Sequence, residues 1–354
     1  MNVSTHTDDD LLFLSPDLLH DVQGGRCVRT VFMSADISDE SLARMALHES
    51  GVKAAYAQMA GVANAWTTSD AGIAGHPAPL LTLVGNPSIS VVFLRLPNAN
   101  TDGSGYSQTN FETLQGLWEG TIPQIHAVDG TSAYTKASLT ATLTALMSAF
   151  QPDIIRTQDY LGDFADGDHP DHHAAARFTR AAHGSYTSPH VLIGYLGYAS
   201  SGLPQNVFGA DLTAKQQAFY AYGAIAPYVC DSAASCQGTA YADWLQRQYT
   251  VGSESGGGGT SPTVAGFAPS SGPVGTPVTI SGTNLSGATA VTFHGTAATF
   301  TVNSPTQITA TVPSAATTGT ITVTTPGGTA QSAAAFTVNY GPGSMAWLYL
   351  LLGD

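Results

Sequence analysis

The chain has 354 residues, enough for two or three domains at roughly 150 residues each. Hydrophobic residues make up 43%, ample for a buried core, and only 10% are charged, against about 25% in an average globular protein. The 11 Lys and Arg face 25 Asp and Glu, a formal charge of −14 with no basic run, which argues against nucleic acid or anionic lipid as a partner.

The first apolar stretch, MNVST, is short and ends in His6-Thr7-Asp8-Asp9-Asp10, so weak pairing is expected of the strand it forms. Further apolar runs predict strands at Val28–Ser34, Ile89–Leu96, 153–157 and 190–196. Between them, 39–61 and 138–150 carry helix-spaced apolar residues with Ala-rich filling. Strands alternating with helices give βαβ units. Residues 1–250 are therefore expected to form a Rossmann-like α/β domain, a mostly parallel sheet flanked by helices.

Every Lys and Arg lies at or before Arg247, and after Glu254 the only charged residue is Asp354. Two physically different segments thus meet near 255, and the Gly/Ser-rich stretch 251–261 reads as a flexible linker. In 262–339, short Val/Thr/Ile runs at 278–281, Ala290–Phe293, 307–312, 320–324 and 335–338 are separated by Gly, Pro and Asn turns. That spacing predicts an all-β sandwich. The tail, 340–354, fits neither pattern, and its apolar run is far below the ~20 residues of a membrane span. No secretory leader is visible, since the apolar run 11–14 follows three aspartates rather than a basic region. Cys230 and Cys236, six apart, either close a small disulfide loop in an oxidising compartment or stay as thiols, and Cys27 has no evident partner. Few lysines with abundant Ser and Thr point to a secreted or cell-surface protein.

In a parallel sheet, chemistry gathers beyond the carboxyl ends of the strands. His6 and Asp9 sit at such an end, and imidazole with carboxylate suits Zn²⁺ and similar ions. Taken alone, the cluster reads equally well as acidic residues favoured at a helix N-terminus. A second cluster, Asp168-His169-Pro170-Asp171-His172-His173, follows the 153–157 strand. Two His/Asp clusters on one sheet edge are hard to explain as caps. A metal with nearby carboxylate and histidine can activate a water, polarise a carbonyl and move protons.

The pair HTDDD (His6 to Asp10) and HPDH (His169 to His172) resembles the N-acetylglucosaminyl-phosphatidylinositol de-N-acetylase family, also called PIG-L or LmbE-like, whose usual first motif is AHPDD. LRLPN at 94–98 and DIIRTQD at 153–159 add to the likeness, which covers residues 1–250. The resemblance implies a zinc enzyme, with another divalent metal an option, in which His6, Asp9 and His172 are ligands. Asp8 would be the general base. His169 would stabilise the oxyanion or protonate the leaving amine, with Asp171 orienting it. Arg95 and Asn98 would contact substrate, Asn98 standing where relatives often have an acid. His48-Glu49 replaces Arg-Glu, and Thr7 replaces the motif proline, which should loosen the turn.

Residues 264–338 resemble an IPT/TIG domain, an immunoglobulin-like fold, through FAPSSGP at 267–273 and GTPVTISGTNL at 275–285. The segment 262–339 has no Lys, Arg, Cys, Asp or Glu, which suits a spacer or a cell-surface or polysaccharide contact rather than a catalytic unit. The function expected is removal of the N-acetyl group from an N-acetylglucosamine-containing substrate, an amino sugar or glycoconjugate. An amidase of the same fold acting on another acyl amide, and an inactive surface- or carbohydrate-binding protein, are the alternatives.

Overall fold

The computed structural model describes residues 1–36, 42–257, 261–285, 288–325 and 327–339. The chain divides into two compact units, the first comprising Met1–Tyr186 and Leu192–Glu254. Its elements begin with β1 (Asn2–Ser4), α1 (Asp9–Phe13), α2 (Asp17–Gln23), β2 (Val28–Ser34), α3 (Leu42–Ala60), β3 (Trp66–Asp70), β4 (Pro79–Leu83) and β5 (Ile89–Leu96). They continue with α4 (Leu114–Glu119), β6 (Ile125–His126), β7 (Ala133–Tyr134), α5 (Lys136–Phe150), β8 (Ile154–Gln158) and α6 (Pro170–His183). The last are β9 (His190–Tyr195), α7 (Gly209–Gly223), α8 (Ala233–Cys236), α9 (Ala240–Leu245) and β10 (Thr250–Gly256).

The main sheet runs β10-β9-β8-β1-β2-β5-β4-β3. β1 pairs in parallel with β2 on one side and with β8 on the other. The weak pairing expected of β1 is therefore corrected: this three-residue strand is fully buried at the centre, where neighbours on both sides set its register. β2 and β5 are parallel, and the β3–β4 hairpin adds an antiparallel edge. The chain leaves β1 toward β2 and returns as β8 on the other flank. This is a topological switch point, where a crevice opens at the carboxyl ends.

Both faces of the sheet are covered. Leu11, Phe13, Leu19, Tyr56, Phe219 and Tyr222 build one core layer, and Leu117, Leu139, Leu143, Met147 and Phe178 build the other. A fully buried Leu or Phe of this kind contributes about 1.5–3 kcal/mol. Local signals agree with the packing: α5 starts at a Thr135–Ser138 capping box, and α6 starts with Pro170 in its first turn. α3 and α7 approach closely at Gly51, where a Cβ would lie 2.7 Å from the Tyr222 ring. α7 has no sequence forecast, because its Ala, Tyr and Phe residues do not segregate to one face.

The linker reading of 251–261 is corrected over its first six residues. Residues Thr250–Gly256 form β10 at the sheet edge, and Glu254 is ion-paired with Arg180 at 2.6 Å. Composition marked these Gly and Ser residues as flexible, but edge pairing and one charge hold them. Residues 258–260, the start of the predicted 39–61 helix and the tail 340–354 lie outside the described residues.

The second unit contains β11 (Thr263–Ala268), β12 (Ser271–Gly272), β13 (Pro277–Thr283), β14 (Ala290–Phe293), β15 (Thr296–Ala297), β16 (Phe300–Ser304), β17 (Gln307–Thr311), β18 (Gly319–Thr325) and β19 (Gly328–Val338). Its sheets are β11-β13-β17-β16 and β12-β19-β18-β14-β15. Val278, Ile280, Phe293, Ile308, Ile321, Val323 and Phe336 fill the immunoglobulin-like core.

Candidate metal centre and active-site cleft

The loops after β1, β2, β5 and β8 converge at the switch point. Gln158, the last residue of β8, ties two of them together. Its Oε1 accepts from Thr5 N and Oγ1 at 3.2 and 3.0 Å, and its Nε2 donates to Asp9 Oδ2 at 2.7 Å. His6 N donates to the same Asp9 oxygen at 2.7 Å. These bonds fold the start of α1 back so that His6, Asp9 and His172 face one another, with ligand atoms within 4.8 Å.

The tautomers follow from the outer partners. His172 Nδ1 lies 2.9 Å from Asp168 Oδ1, and a carboxylate only accepts, so Nδ1 carries the proton. His172 Nε2 is then a lone pair; it is buried without a hydrogen-bond partner and lies 3.2 Å from Asp9 Oδ1. His6 Nε2 likewise donates to Asn98 Oδ1 at 2.7 Å, leaving Nδ1 turned toward Asp9 Oδ2 at 3.0 Å. Two nitrogen lone pairs aimed at one carboxylate repel unless a cation lies among them. Two nitrogens and one carboxylate, each held by an outer hydrogen bond, fit a catalytic zinc-type site with an open position. With protons as those cations, burial still works to raise Asp9, yet the charges of His172 and His6 hold its carboxyl well below the usual range.

The remaining motif residues ring this centre. Asp8 lines the cleft, and burial, then the charges of Asp36 and Asp9, push its carboxyl well above the ordinary value. His169 caps α6, its Nδ1 accepting from Asp171 N at 3.2 Å, so the neutral ring carries its proton on Nε2. Burial, then the charges of His6 and His172, lower its pKa to about 2. The Asp171 carboxylate does not orient His169 as expected: the two side chains are 4.0 Å apart, and Asp171 Oδ2 instead accepts from Ala99 N at 2.7 Å. It is the Asp171 backbone that holds the ring.

Two expected substrate contacts have other partners. Arg95 does not line the cleft; its guanidinium forms ion pairs of 2.7 Å with both Glu49 and Asp129. A register shift between β2 and β5 accompanies φ +57 at Arg95, and such a bulge re-aims the side chain. Asn98 does line the cleft, but it is engaged as the acceptor that orients His6.

Thr7 does not loosen the turn. Its Oγ1 donates to Asp36 Oδ2 at 2.7 Å and shares a 2.6 Å hydrogen bond with Tyr222 OH, which also meets His48 Nδ1 at 2.7 Å. Proline has no group for this network, and Asp36 and Tyr222 carry no local motif that would reveal it. Asp168, quoted within the second cluster but given no role there, proves to orient His172. Tyr198 and Trp244, stacked at 4.6 Å, line the cleft. The cleft measures about 390 Å³, within the range of small-molecule sites. A further cluster, Asp159, Asp166 and His173, fastens the 159–168 loop: His173 Nδ1 donates to Asp159 O at 2.9 Å, and its Nε2 faces Asp166 Oδ1 at 3.0 Å.

Comparison with known proteins agrees with this geometry. The PIG-L family model, GlcNAc-PI de-N-acetylase, matches residues 1–183, more than half of the chain, and the IPT/TIG domain model matches 262–340. No curated protein matches. Among solved structures, the A40926 pseudoaglycone deacetylase Dbv21 is 14% identical, covering 62% of this chain and 79% of its own at a TM-score of 0.36. An auxiliary nutrient binding protein from Bacteroides thetaiotaomicron is 20% identical over 23% of this chain, and SGBP-B from a xyloglucan utilization locus in Bacteroides uniformis is 25% identical over 22%, both with a TM-score of 0.21. The chain spans 21% and 23% of the lengths of those two proteins. With the paired motifs gathered at one sheet edge and the family model covering them both, this chain belongs to the PIG-L, GlcNAc-PI de-N-acetylase, family and carries an IPT/TIG domain after it.

Proposed function

We propose that residues 1–250 form a metal-dependent de-N-acetylase domain that removes the acetyl group from an N-acetylglucosamine-containing substrate. The observation that carries the proposal is the placing of His6 Nδ1 and His172 Nε2 beside the Asp9 carboxylate, at 3.0 and 3.2 Å. These three residues would hold Zn²⁺ or a similar divalent ion. When bound, such an ion polarises the amide carbonyl and lowers the pKa of water.

The chain's own groups handle the protons. Asp8, with its carboxyl raised by burial and by Asp36 and Asp9, takes the proton of the attacking water at a carboxylate oxygen. His169, held neutral with its proton on Nε2, donates a hydrogen bond to the oxygen on which charge develops. A neutral imidazole is a weak acid, so the leaving amine recovers its proton from Asp8. Tyr198 and Trp244 give the cleft an aromatic wall against which a sugar ring packs.

The Cys230–Cys236 disulfide supports an oxidising, extracytoplasmic setting. Among the described residues no helix is long and apolar enough to cross a membrane. The IPT/TIG unit serves as a spacer or as a contact to a cell surface or polysaccharide.

The test is metal content together with acetate release from N-acetylglucosamine oligomers, for wild type, Asp8→Asn and His172→Ala. About one zinc per chain and acetate from wild type alone, with metal retained in Asp8→Asn, supports the proposal. Metal without acetate points to another acyl amide, and a protein that takes up no metal refutes the proposal.

A further inference from the structure

Tyr228 stands at the tip of the segment joining α7 to α8 and is 85% exposed. A single exposed aromatic side chain is unremarkable. The backbone here is not, because φ is +63, a left-handed conformation that bulky residues rarely adopt and that persists where the surroundings impose it. The surroundings do impose it. Ala226 is buried, Val229 packs against the core, and the disulfide ties Cys230 to Cys236 at the end of α8. At the other end, the chain returns so closely over α7 that a Cβ on Gly223 would lie 2.2 Å from Cys230 O.

The ring is held as well as the backbone. The Arg44 guanidinium lies 5.0 Å from its centroid, and Arg44 NH2 donates to the hydroxyl at 3.4 Å. Arg44, Pro227, Tyr228 and Val229 line the same cleft as His6 and Asp9, while Asn100 and Thr101 contribute polar groups to that lining. A rigid aromatic face at high exposure suits the apolar C–H face of a pyranose, and Asn and Thr suit its hydroxyls.

We infer that Tyr228 is a specificity residue that packs on a second pyranose, adjoining the sugar whose acetamide is cut. This rests on the proposed function, and it means that the site selects glycans of two or more rings over the single sugar.

The experiment uses the full zinc-loaded chain with N-acetylglucosamine and its β-1,4-linked dimer. It reads acetate release and calorimetric affinity for wild type, Tyr228→Asn and Tyr228→Trp. Asn tolerates the left-handed backbone, so unchanged melting is expected and loss of the ring is isolated. The dimer's advantage over the monomer in kcat/KM and affinity should fall roughly five- to tenfold in Tyr228→Asn and persist in Tyr228→Trp. Acetate release with no dimer preference, or with a preference that survives Tyr228→Asn, overturns the inference and leaves the function standing. No acetate from either sugar, but dimer affinity lost in Tyr228→Asn, overturns the deacetylase reading and keeps the subsite. Neither acetate nor Tyr228-dependent affinity overturns both.

Discussion

Asp168 offers a way to separate charge from tautomer in the support of His172, a proposed metal ligand. Three donors converge on its Oδ1: His172 Nδ1 at 2.9 Å, His169 N at 2.8 Å and Tyr198 N at 3.1 Å. Its Oδ2 is buried without a hydrogen-bond partner. In Asp168→Asn the amide carbonyl can occupy the Oδ1 place and keep all three bonds, losing only the charge. A hydrogen bond to a charged group contributes about 1 kcal/mol more than a neutral one, so zinc affinity should fall about fivefold with the fold intact. Asp168→Ala frees the His172 ring to present the wrong nitrogen, and loss of such an outer partner weakens metal binding roughly 10- to 100-fold. It also strands the buried His169 N–H, at about 1–3 kcal/mol, and the partly buried Tyr198 N–H. The assay is competition for zinc between the chelator-stripped protein and a chromophoric chelator, run beside urea melts. Equal zinc affinity in wild type and Asp168→Ala would refute the reasoning, and an Asp168→Asn loss as large as that of Asp168→Ala would remove the tautomer from it.

Arg95→Met should destabilise the fold by about 3–5 kcal/mol, because it leaves the mostly buried carboxylates of Glu49 and Asp129 without their cation, while KM stays unchanged; a raised KM with normal stability would restore Arg95 as a substrate contact. Asp10 is pushed by burial from 3.8 to about 7, against hydrogen bonds from Tyr56 OH and Leu11 N. The folded state then holds a proton that the unfolded state has lost, so wild-type stability falls as pH rises between those two values, by about 1.4 kcal/mol per unit. Asp10→Asn should lack that slope in paired urea melts, and parallel slopes would exclude the assignment. Removing the disulfide as Cys230→Ser/Cys236→Ser should cost about 2 kcal/mol, the loop-closure entropy of so short a ring, and an unchanged melt would show that packing alone holds the segment.

How legible each part was depended on how local its cause is. The strands at Val28–Ser34 and Ile89–Leu96 were readable because a buried parallel strand is a continuous apolar run, and α5 because its apolar residues recur at helical spacing. β10 was not readable, since Gly and Ser composition is the same in a linker and in a strand held by a neighbour. His6, Asp9 and His172 could be named as one candidate cluster from their motifs, and the fold gathers them. Arg95 could not be placed, because the bulge that turns it toward Glu49 and Asp129 depends on how β5 pairs with β2.

The amino-acid sequence by itself determined which groups could meet: two His/Asp clusters after strands, and therefore one gathering of histidines and carboxylates on one sheet edge. Those clusters are short, and each obeys local rules for strand ends and helix starts. Tertiary structure alone decided how each group is used. Asn98 orients His6, Asp168 orients His172, Thr7 joins Asp36 and Tyr222, and Tyr228 stands exposed in the lining of the cleft. The physical reason is that a hydrogen bond or an ion pair is set by distances between segments far apart in the chain, and residue spacing carries no record of those distances.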